Sequence, residues 1–340
     1  MHATRYIHYI YIIGIAFLLQ GCNRESHPST PELETISMVA AEVGTTRALM
    51  NNLTDLQNTG FRVYGYKVDN AANKQQVFTD DGQSVRYDGA NGWSYDPIRY
   101  WDRVANYWFA AYAPTSLAVT NKIAAKQTLT FTKLPNWQEI NGTETDLIVA
   151  TSQGPATTYL DNEGIVNLTF NHAYAQFVVR VVRSASFKNT YKLKSLAYTN
   201  VPTADGTATY TLGYTTPANS AWSGVTMLAA NESMNAFSST SGEEITSNPE
   251  ATPGAKHLVV PFNLGDKVIN VTVGYTVNDG DLLTGTANTG IKQMEEGKRY
   301  VLTLSLGSGA TITPSLDIEN WVEMENGEEI EIDGDEKHNW

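Results

Sequence analysis

The feature that most constrains the fold is a two-residue alternation of apolar and polar side chains. Residues 269–277 and 300–306 carry an apolar side chain at every second position, and most positions between these are polar or glycine. Successive side chains of a β-strand point to opposite faces of the sheet, so such a segment buries one face and exposes the other. Residues 177–182 are more continuously apolar and predict a central strand. No long stretch has a helical period, and we expect at most a turn or two of helix, at residues 116–125.

Short turn signals separate the alternating segments. The pairs Asp88-Gly89, Asn141-Gly142 and Asp205-Gly206 tolerate the positive φ values that tight hairpins need. Many short strands with closely spaced turns are typical of β-sandwiches and β-barrels. The sequence therefore predicts an all-β protein.

The N-terminal segment has the form of an export signal. Arg5 precedes an apolar run at residues 7–19, which is too short to span a bilayer. The run ends at Leu19-Gln20-Gly21-Cys22, which resembles a bacterial lipobox, where the cysteine is acylated and becomes the new N-terminus. Because Cys22 is the single cysteine of the chain, we predict that it is lipidated. The alternative is an ordinary secretory signal followed by an incidental cysteine.

The composition excludes several functions. Asp and Glu number 36 against 23 Lys and Arg, a net charge of −13, and an acidic chain repels the phosphates of nucleic acids. A single cysteine allows neither an intramolecular disulfide nor a Cys-x-x-Cys metal site. No nucleotide-binding, hydrolase or metalloprotease motif occurs. We therefore predict no enzyme activity, no cofactor, no metal and no nucleic-acid partner.

A histidine and two acidic turns are the polar residues that could bind a metal ion. His172 is flanked by apolar residues of a predicted strand, so we expect a hydrogen-bonded structural histidine rather than a metal ligand. The turns at residues 279–281 and 333–335 each carry two aspartates and could hold calcium, which prefers oxygen ligands. Solvated turns are the favoured interpretation of both.

Aromatic residues are concentrated in residues 93–109. Exposed rings could form a platform that binds sugars, whereas rings on the buried face of a strand fill a core. Alternation around Tyr107 and Phe109 places them on a strand and favours the core.

A further signal lies in six segments of the chain, which are Trp93-Ser94-Tyr95-Asp96-Pro97, Tyr100-Trp101, Phe109-Ala110-Ala111-Tyr112-Ala113-Pro114, Phe170-Asn171-His172-Ala173-Tyr174-Ala175, Gly297-Lys298-Arg299-Tyr300-Val301-Leu302-Thr303-Leu304 and Ile318-Glu319-Asn320-Trp321. In their order and spacing, these segments together resemble those of fimbrillins, the subunits of type V pili of Gram-negative anaerobes. With the lipobox, the likeness extends from Cys22 to about Trp321.

The resemblance implies two tandem transthyretin-like β-sandwich domains. We assign residues 1–21 to the signal peptide, 22–47 to a tether or pro-segment, 48–162 to the N-terminal domain and 163–340 to the C-terminal domain with its acidic tail. The resemblance also implies export to the outer membrane as a lipoprotein and assembly into a fimbrium that supports adhesion.

In polymerising fimbrillins, cleavage after an arginine releases the first strand and opens a hydrophobic groove, which the C-terminal segment of a neighbouring subunit fills. Arg47, followed by Ala48, matches that cleavage position. The resemblance therefore implies an arginine-specific protease and other pilus subunits as partners. The released strand would include residues 36–40, and the donor would lie within residues 312–332.

Alternatives stay open on the sequence alone. Arg47 could be an ordinary arginine in an exposed tether. The density of Glu and Asp in the donor region is unusual, so the chain could instead be an anchor or accessory subunit that keeps its lipid. A surface glycan-binding lipoprotein of a carbohydrate-uptake system is the alternative from a different class. Solvent-facing aromatic rings at a sandwich end would favour glycan binding, and rings buried between sheets would favour a pilus subunit.

Overall fold

A computed structural model describes residues 33–43, 53–122, 128–213, 221–307 and 311–321. The chain has two units, and of the first, residues 1–34, only residues 33 and 34 are described. Every element below belongs to the second unit, Thr35–Trp340. The described residues form strands and two short helices, which confirms the prediction of an all-β chain.

The first half of the chain supplies one large sheet and three strands of two other sheets. Its elements in chain order are β1 (Ser37–Val43), α1 (Leu53–Thr59), β2 (Phe61–Val68), β3 (Lys74–Gln76), β4 (Gln83–Tyr87), β5 (Trp93–Ser94), β6 (Asn106–Ala113), β7 (Val119–Lys122), β8 (Thr128–Pro135), β9 (Trp137–Glu139), β10 (Ile148–Pro155), α2 (Ala156–Leu160) and β11 (Ile165–His172). The large sheet has the order β1-β11-β10-β6-β2-β4-β5, with β3 paired to β2. β1 runs parallel to β11, and the other neighbours are antiparallel.

The second half adds the remaining strands. They are β12 (Ala175–Arg183), β13 (Tyr191–Thr199), β14 (Thr207–Gly213), β15 (Ala221–Ser223), β16 (Met234–Glu244), β17 (Gly254–Val259), β18 (Phe262–Asn263), β19 (Asn270–Val277), β20 (Leu283–Asn288), β21 (Gln293–Met294), β22 (Lys298–Leu306) and β23 (Ile312–Asn320). They complete sheets with the orders β23-β22-β12-β17-β9, β16-β13-β19-β20 and β15-β14-β8-β7, and β18 pairs with β21.

The sheets pack as sandwiches. Buried side chains of β12, β17 and β22 meet those of β13 and β19 in one core. Buried side chains of β2, β6 and β10 meet those of β8 and β14 in another. The opposite face of the large sheet packs against α1, α2 and the aromatic segment after β5. The predicted β-sandwich architecture is therefore confirmed.

Strand pairing bears on two of the sequence-based predictions. The turn or two of helix considered at residues 116–125 is wrong at Val119–Lys122, because β7 pairs with β8 and its backbone hydrogen bonds go to that neighbour. β8 and β9 precede residue 162 in the sequence but pair with β14 and β17, which follow it. The domain boundary at residues 162 and 163 stays a prediction.

A half-buried carboxyl group joins β14 to the start of β22. Glu296 directly precedes Gly297 at the start of β22, and its Oε1 accepts a hydrogen bond of 2.6 Å from the hydroxyl of Tyr210 in β14. Burial raises the pKa of Glu296 to about 7 from an ordinary value of 4.5, and the Tyr210 hydrogen bond lowers it by less. The folded chain therefore holds this carboxyl protonated at pH values where the unfolded chain ionises it.

Because the pKa of Glu296 is raised, ionisation of this carboxyl group should destabilise the folded chain as the pH rises, and substitution by glutamine should remove that loss of stability. The favourable contribution of protonated Glu296 is complete below pH 4.5 and is lost as the pH rises to about 7. We expect the free energy of unfolding of Glu296→Gln, relative to wild type, to rise by roughly 1–3 kcal/mol between pH 5 and pH 8. Urea unfolding at both pH values measures the difference. Glu295→Gln, which removes an exposed carboxyl group from the neighbouring position, is the control for the loss of one negative charge. A Glu296→Gln difference that is flat with pH would contradict the assignment.

Candidate functional site

The predicted pro-segment strand is β1, and it contributes to the core. Ile36, Met38 and Ala40 are only 2%, 2% and 3% exposed, and the side chains of Ser37 and Val39 between them are half-buried. The three buried side chains join the same cluster as those of β11. The prediction of a strand at residues 36–40 is confirmed.

Backbone hydrogen bonds hold β1 on both sides at its N-terminal end. One side pairs in parallel with β11, from Ser37 opposite Ile165 to Val43 opposite Phe170. On the other side the Ile36 N–H donates to the Arg99 carbonyl over 2.8 Å. The Tyr95 hydroxyl donates to the Ile36 carbonyl over 2.6 Å. In the sheet order β1 is the terminal strand, so the large sheet ends with β11 when β1 is absent.

Aromatic rings surround the start of β1. The Trp101 indole N–H donates to the Gly164 carbonyl over 3.2 Å, and the ring stacks on Tyr159 with centroids 4.8 Å apart. Gly164 has a φ of +73°, and a Cβ at this position would lie 2.6 Å from the Thr35 carbonyl oxygen. Glycine therefore allows β11 to begin directly beside the incoming strand.

The burial of these rings answers the question left by the sequence. Trp101, Tyr107 and Phe109 are buried, and Trp93 is half-buried against the same cluster. The prediction that the aromatic segment fills a core is confirmed for these residues. Sequence reasoning found the rings but missed their position beside β1, because no spacing in the chain links residues 95–101 to residue 36.

The predicted processing residues lie outside the described residues. Cys22, Arg47, Ala48 and the signal peptide all lie outside the described ranges. Their place along the chain is still informative, since Arg47 lies between the end of β1 at Val43 and the start of α1 at Leu53. A cut after Arg47 would separate β1 from every later strand, and β1 would then be held by noncovalent contacts alone.

The described part of the predicted donor region is a strand of its own chain. β23 pairs antiparallel with β22 along its whole length and ends the sheet. Most of its side chains are exposed, and Ile318 is 56% exposed, although Ile312 and Leu316 are half-buried against the core. The remainder of the donor region, residues 322–332, lies outside the described residues.

A buried cluster fastens the end of β23. The Trp321 indole lies parallel to the His172 imidazole at a centroid distance of 3.7 Å and an angle of 1°. The His172 Nδ1 lies 2.7 Å from the Asp146 Oδ2, and neither side chain is exposed. The Trp321 backbone N–H donates to the Gly297 carbonyl over 2.8 Å. His172 is thus a hydrogen-bonded structural histidine, as predicted. The sequence offered no signal for its partners, which lie 26 and 149 residues away.

The acidic turn at residues 279–281 has a charged partner. The Asp279 carboxylate lies 2.7 Å from the Lys192 Nζ, which holds the pKa of Asp279 below its usual value. Among the described residues, no group of three or more histidine, cysteine, aspartate or glutamate side chains is arranged to hold a metal ion. The second turn, residues 333–335, lies outside them. Within the same part of the chain, no helix has the length and apolarity to cross a membrane.

An open groove of about 600 Å³ lies beside β23. Its lining includes Lys292, Glu295, Leu316 and Ile318, and among the described residues the one aromatic side chain in the lining is the buried Tyr300. The groove is thus mixed in polarity, and the described part of its lining offers no exposed ring on which a sugar could stack.

Solved structures and a family model were compared with the chain. A fimbrial protein from Bacteroides vulgatus is 17% identical and has a TM-score of 0.56, with 85% of this chain and 99% of that chain covered. This similarity supports the described fold. A Bacteroides uniformis protein assigned provisionally to cell adhesion is 15% identical, with a TM-score of 0.48 and coverage of 86% and 99%. The tip fimbrial protein Mfa3 from Porphyromonas gingivalis is 8% identical, with a TM-score of 0.35 and coverage of 82% and 99%.

The sequence comparisons differ in their outcome. No curated protein matches the sequence. The family model described as fimbrillin-like matches residues 46–321, which include β2 to β23 and the Trp321 cluster. The match covers most of the chain, and the chain therefore belongs to the fimbrillin-like family.

Proposed function

We propose that this chain is a structural subunit of a type V pilus that assembles by exchange of β1 for a strand of another subunit. Membership of the fimbrillin-like family supports a role in a pilus and a location at the cell surface. In the proposal, Cys22 is acylated and anchors the exported precursor in the outer membrane. An arginine-specific protease then cuts between Arg47 and Ala48. The role is structural and adhesive rather than catalytic.

The observation that carries the proposal is the burial of β1 ahead of the proposed cleavage position. Fully burying a large apolar side chain contributes roughly 1.5–3 kcal/mol, so loss of Ile36 and Met38 would leave two costly pockets. Loss of β1 would also leave the edge of β11 unpaired. A strand from another subunit can satisfy the pockets and the backbone together, which favours exchange over an empty groove.

The pockets specify the side chains that a replacement strand needs. Ile36, Met38 and Ala40 require two large apolar side chains followed by a small one, at every second position. Residues 330–334 have this pattern, with Ile330, Ile332 and Gly334 separated by acidic residues. We therefore propose residues 330–334 of a second copy as the donor, parallel to β11 and with Ile330 in the place of Ile36.

The position of the aromatic rings does not favour glycan binding as a second function. The glycan-binding alternative needed an exposed aromatic platform, whereas the rings of Trp101, Tyr107 and Phe109 are buried. Tyr100 is half exposed, but its backbone bridges to Thr35 beside β1.

Lipidation of Cys22 predicts that a Cys22→Ala protein loses its anchor. In cells supplied with labelled palmitate, the wild-type precursor should carry label and sediment with outer membranes, because acyl chains hold a protein at a bilayer. The Cys22→Ala protein should carry no label and should be released. Ser26→Ala, a change four residues away, should behave as wild type. Label and membrane retention that persist in Cys22→Ala would show that the lipid anchor is assigned wrongly.

Cleavage after Arg47 predicts that assembly depends on this arginine. Treatment of the precursor with an arginine-specific protease should release the segment that ends at Arg47, and oligomers that resist mild denaturation should follow. Mass spectrometry identifies the new N-terminus, and gel electrophoresis without boiling detects the oligomers. Arg47→Ala should block both steps, whereas Arg24→Ala, in the same tether, should block neither. A correctly cleaved protein that stays monomeric, even with other subunits of its system, would refute strand exchange.

A further inference from the structure

We propose that His172 and Trp321 form a clasp that couples the pro-segment strand β1 to the C-terminal strand β23. In the context of the proposed function, on which its biological meaning rests, the clasp would keep the C-terminal segment docked until β1 leaves. The donor would then become available only on a subunit that has already been cleaved. The coupling itself is a property of the uncleaved chain.

One row of side chains on β11 reaches both ends of the chain. Val166, Leu168, Phe170 and His172 are all buried and share a face, since residues 167, 169 and 171 between them are exposed. The first three lie in the cluster that contains the buried side chains of β1. His172, the next member of the row, carries the Trp321 indole at 3.7 Å.

The ends of both terminal strands lie near each other on β11. Val43, the last residue of β1, is opposite Phe170, two residues before His172. Movement of β11 when β1 leaves would therefore reach the position that carries Trp321 through Phe170. Interior side chains pack closely and interact with their immediate neighbours, so a shift at Phe170 changes the support of His172.

The clasp is the buried attachment of β23 at its C-terminal end. Trp321 is 4% exposed, whereas the neighbouring attachments are at the surface. They are an ion pair of 2.7 Å between Arg299 and Glu319 and a hydrogen bond of 2.5 Å from the Lys298 Nζ to the Asn320 side chain. Exposed ion pairs contribute little, so release of Trp321 would remove the main side-chain support of this end of the strand and leave the backbone pairing with β22.

His172 is itself held in place from a third element. Its Nδ1 contacts the Asp146 Oδ2 over 2.7 Å, and Asp146 precedes β10, the neighbour of β11 on the side away from β1. The imidazole therefore has a fixed orientation under the indole. In this scheme Trp321 affects the docking of β1 only through His172 and β11.

Coupling between two sites is reciprocal, which makes the clasp testable from the C-terminal end. If β1 stabilises the docking of Trp321, then Trp321 must stabilise the docking of β1 by the same factor. We expect Trp321→Ala to increase the hydrogen-exchange rate of the β1 amides about tenfold in the uncleaved full-length protein, within the usual range of coupling between sites. Trp321→Phe, which keeps a ring on His172, should give a smaller increase.

A control variant and a reference strand make the hydrogen-exchange result decisive. Arg299→Gln breaks the ion pair at the same end of β23 without touching β11, so it should accelerate exchange in β23 and leave β1 unchanged. The amides of β19, in the other sandwich, report general destabilisation. Faster exchange in β1 than in β19 for Trp321→Ala, with Trp321→Phe between it and wild type, supports the clasp.

Other outcomes overturn it. Exchange in β1 within twofold of wild type, or equal increases in β1 and β19, would show that Trp321 supports β23 or the whole fold but is not coupled to β1. If Trp321→Ala does not fold, Trp321→Phe alone decides by the same comparison. No protease or second subunit is needed, so failure of the clasp is distinguishable from failure of strand exchange.

Discussion

The parallel pairing of β1 with β11 is the interaction on which the rest of the structure depends. It supplies the last strand of the large sheet and fills its core with Ile36, Met38 and Ala40. The strand is contributed by the segment ahead of Arg47, whereas the remainder of the core follows that residue. A fold built in this way is complete as a precursor and becomes incomplete when a cut allows β1 to leave, which is the physical basis of the proposed assembly.

Both ends of the described chain converge on β11. Its buried row packs against β1 at residues 166–170 and against Trp321 at His172. The large sheet is also covered on both faces, by the α1 and α2 side and by the sheet that contains β8 and β14. β11 therefore contacts both β1 and Trp321, and in the proposed clasp it links the two.

The strands were predictable, but their neighbours were not. Alternation at residues 269–277 and 300–306 is a local property, and β19 and β22 lie where it predicts. The helix considered at residues 116–125 failed at β7 because pairing with β8 is a tertiary contact that outweighs local preference. The candidate site likewise has features that the sequence predicts and features that only the fold determines. A strand at residues 36–40 and the structural role of His172 could be predicted from the sequence, whereas the burial of that strand and the stacking of Trp321 on His172 depend on the fold.

The most direct test of the account is the identity of the strand beside β11 in the assembled protein. Val39 is opposite Asn167 in the precursor, so the proposed register places Asp333 of a second copy at that position. Cleavage after Arg47 removes Cys22, the chain's one cysteine, and leaves only thiols that are introduced. Cleaved Asn167→Cys protein mixed with cleaved Asp333→Cys protein should form a disulfide between chains, because paired strands bring Cα atoms within bridging distance. Glu331→Cys, two residues out of register, should form little. Assembly without a 167–333 disulfide between chains would contradict the account.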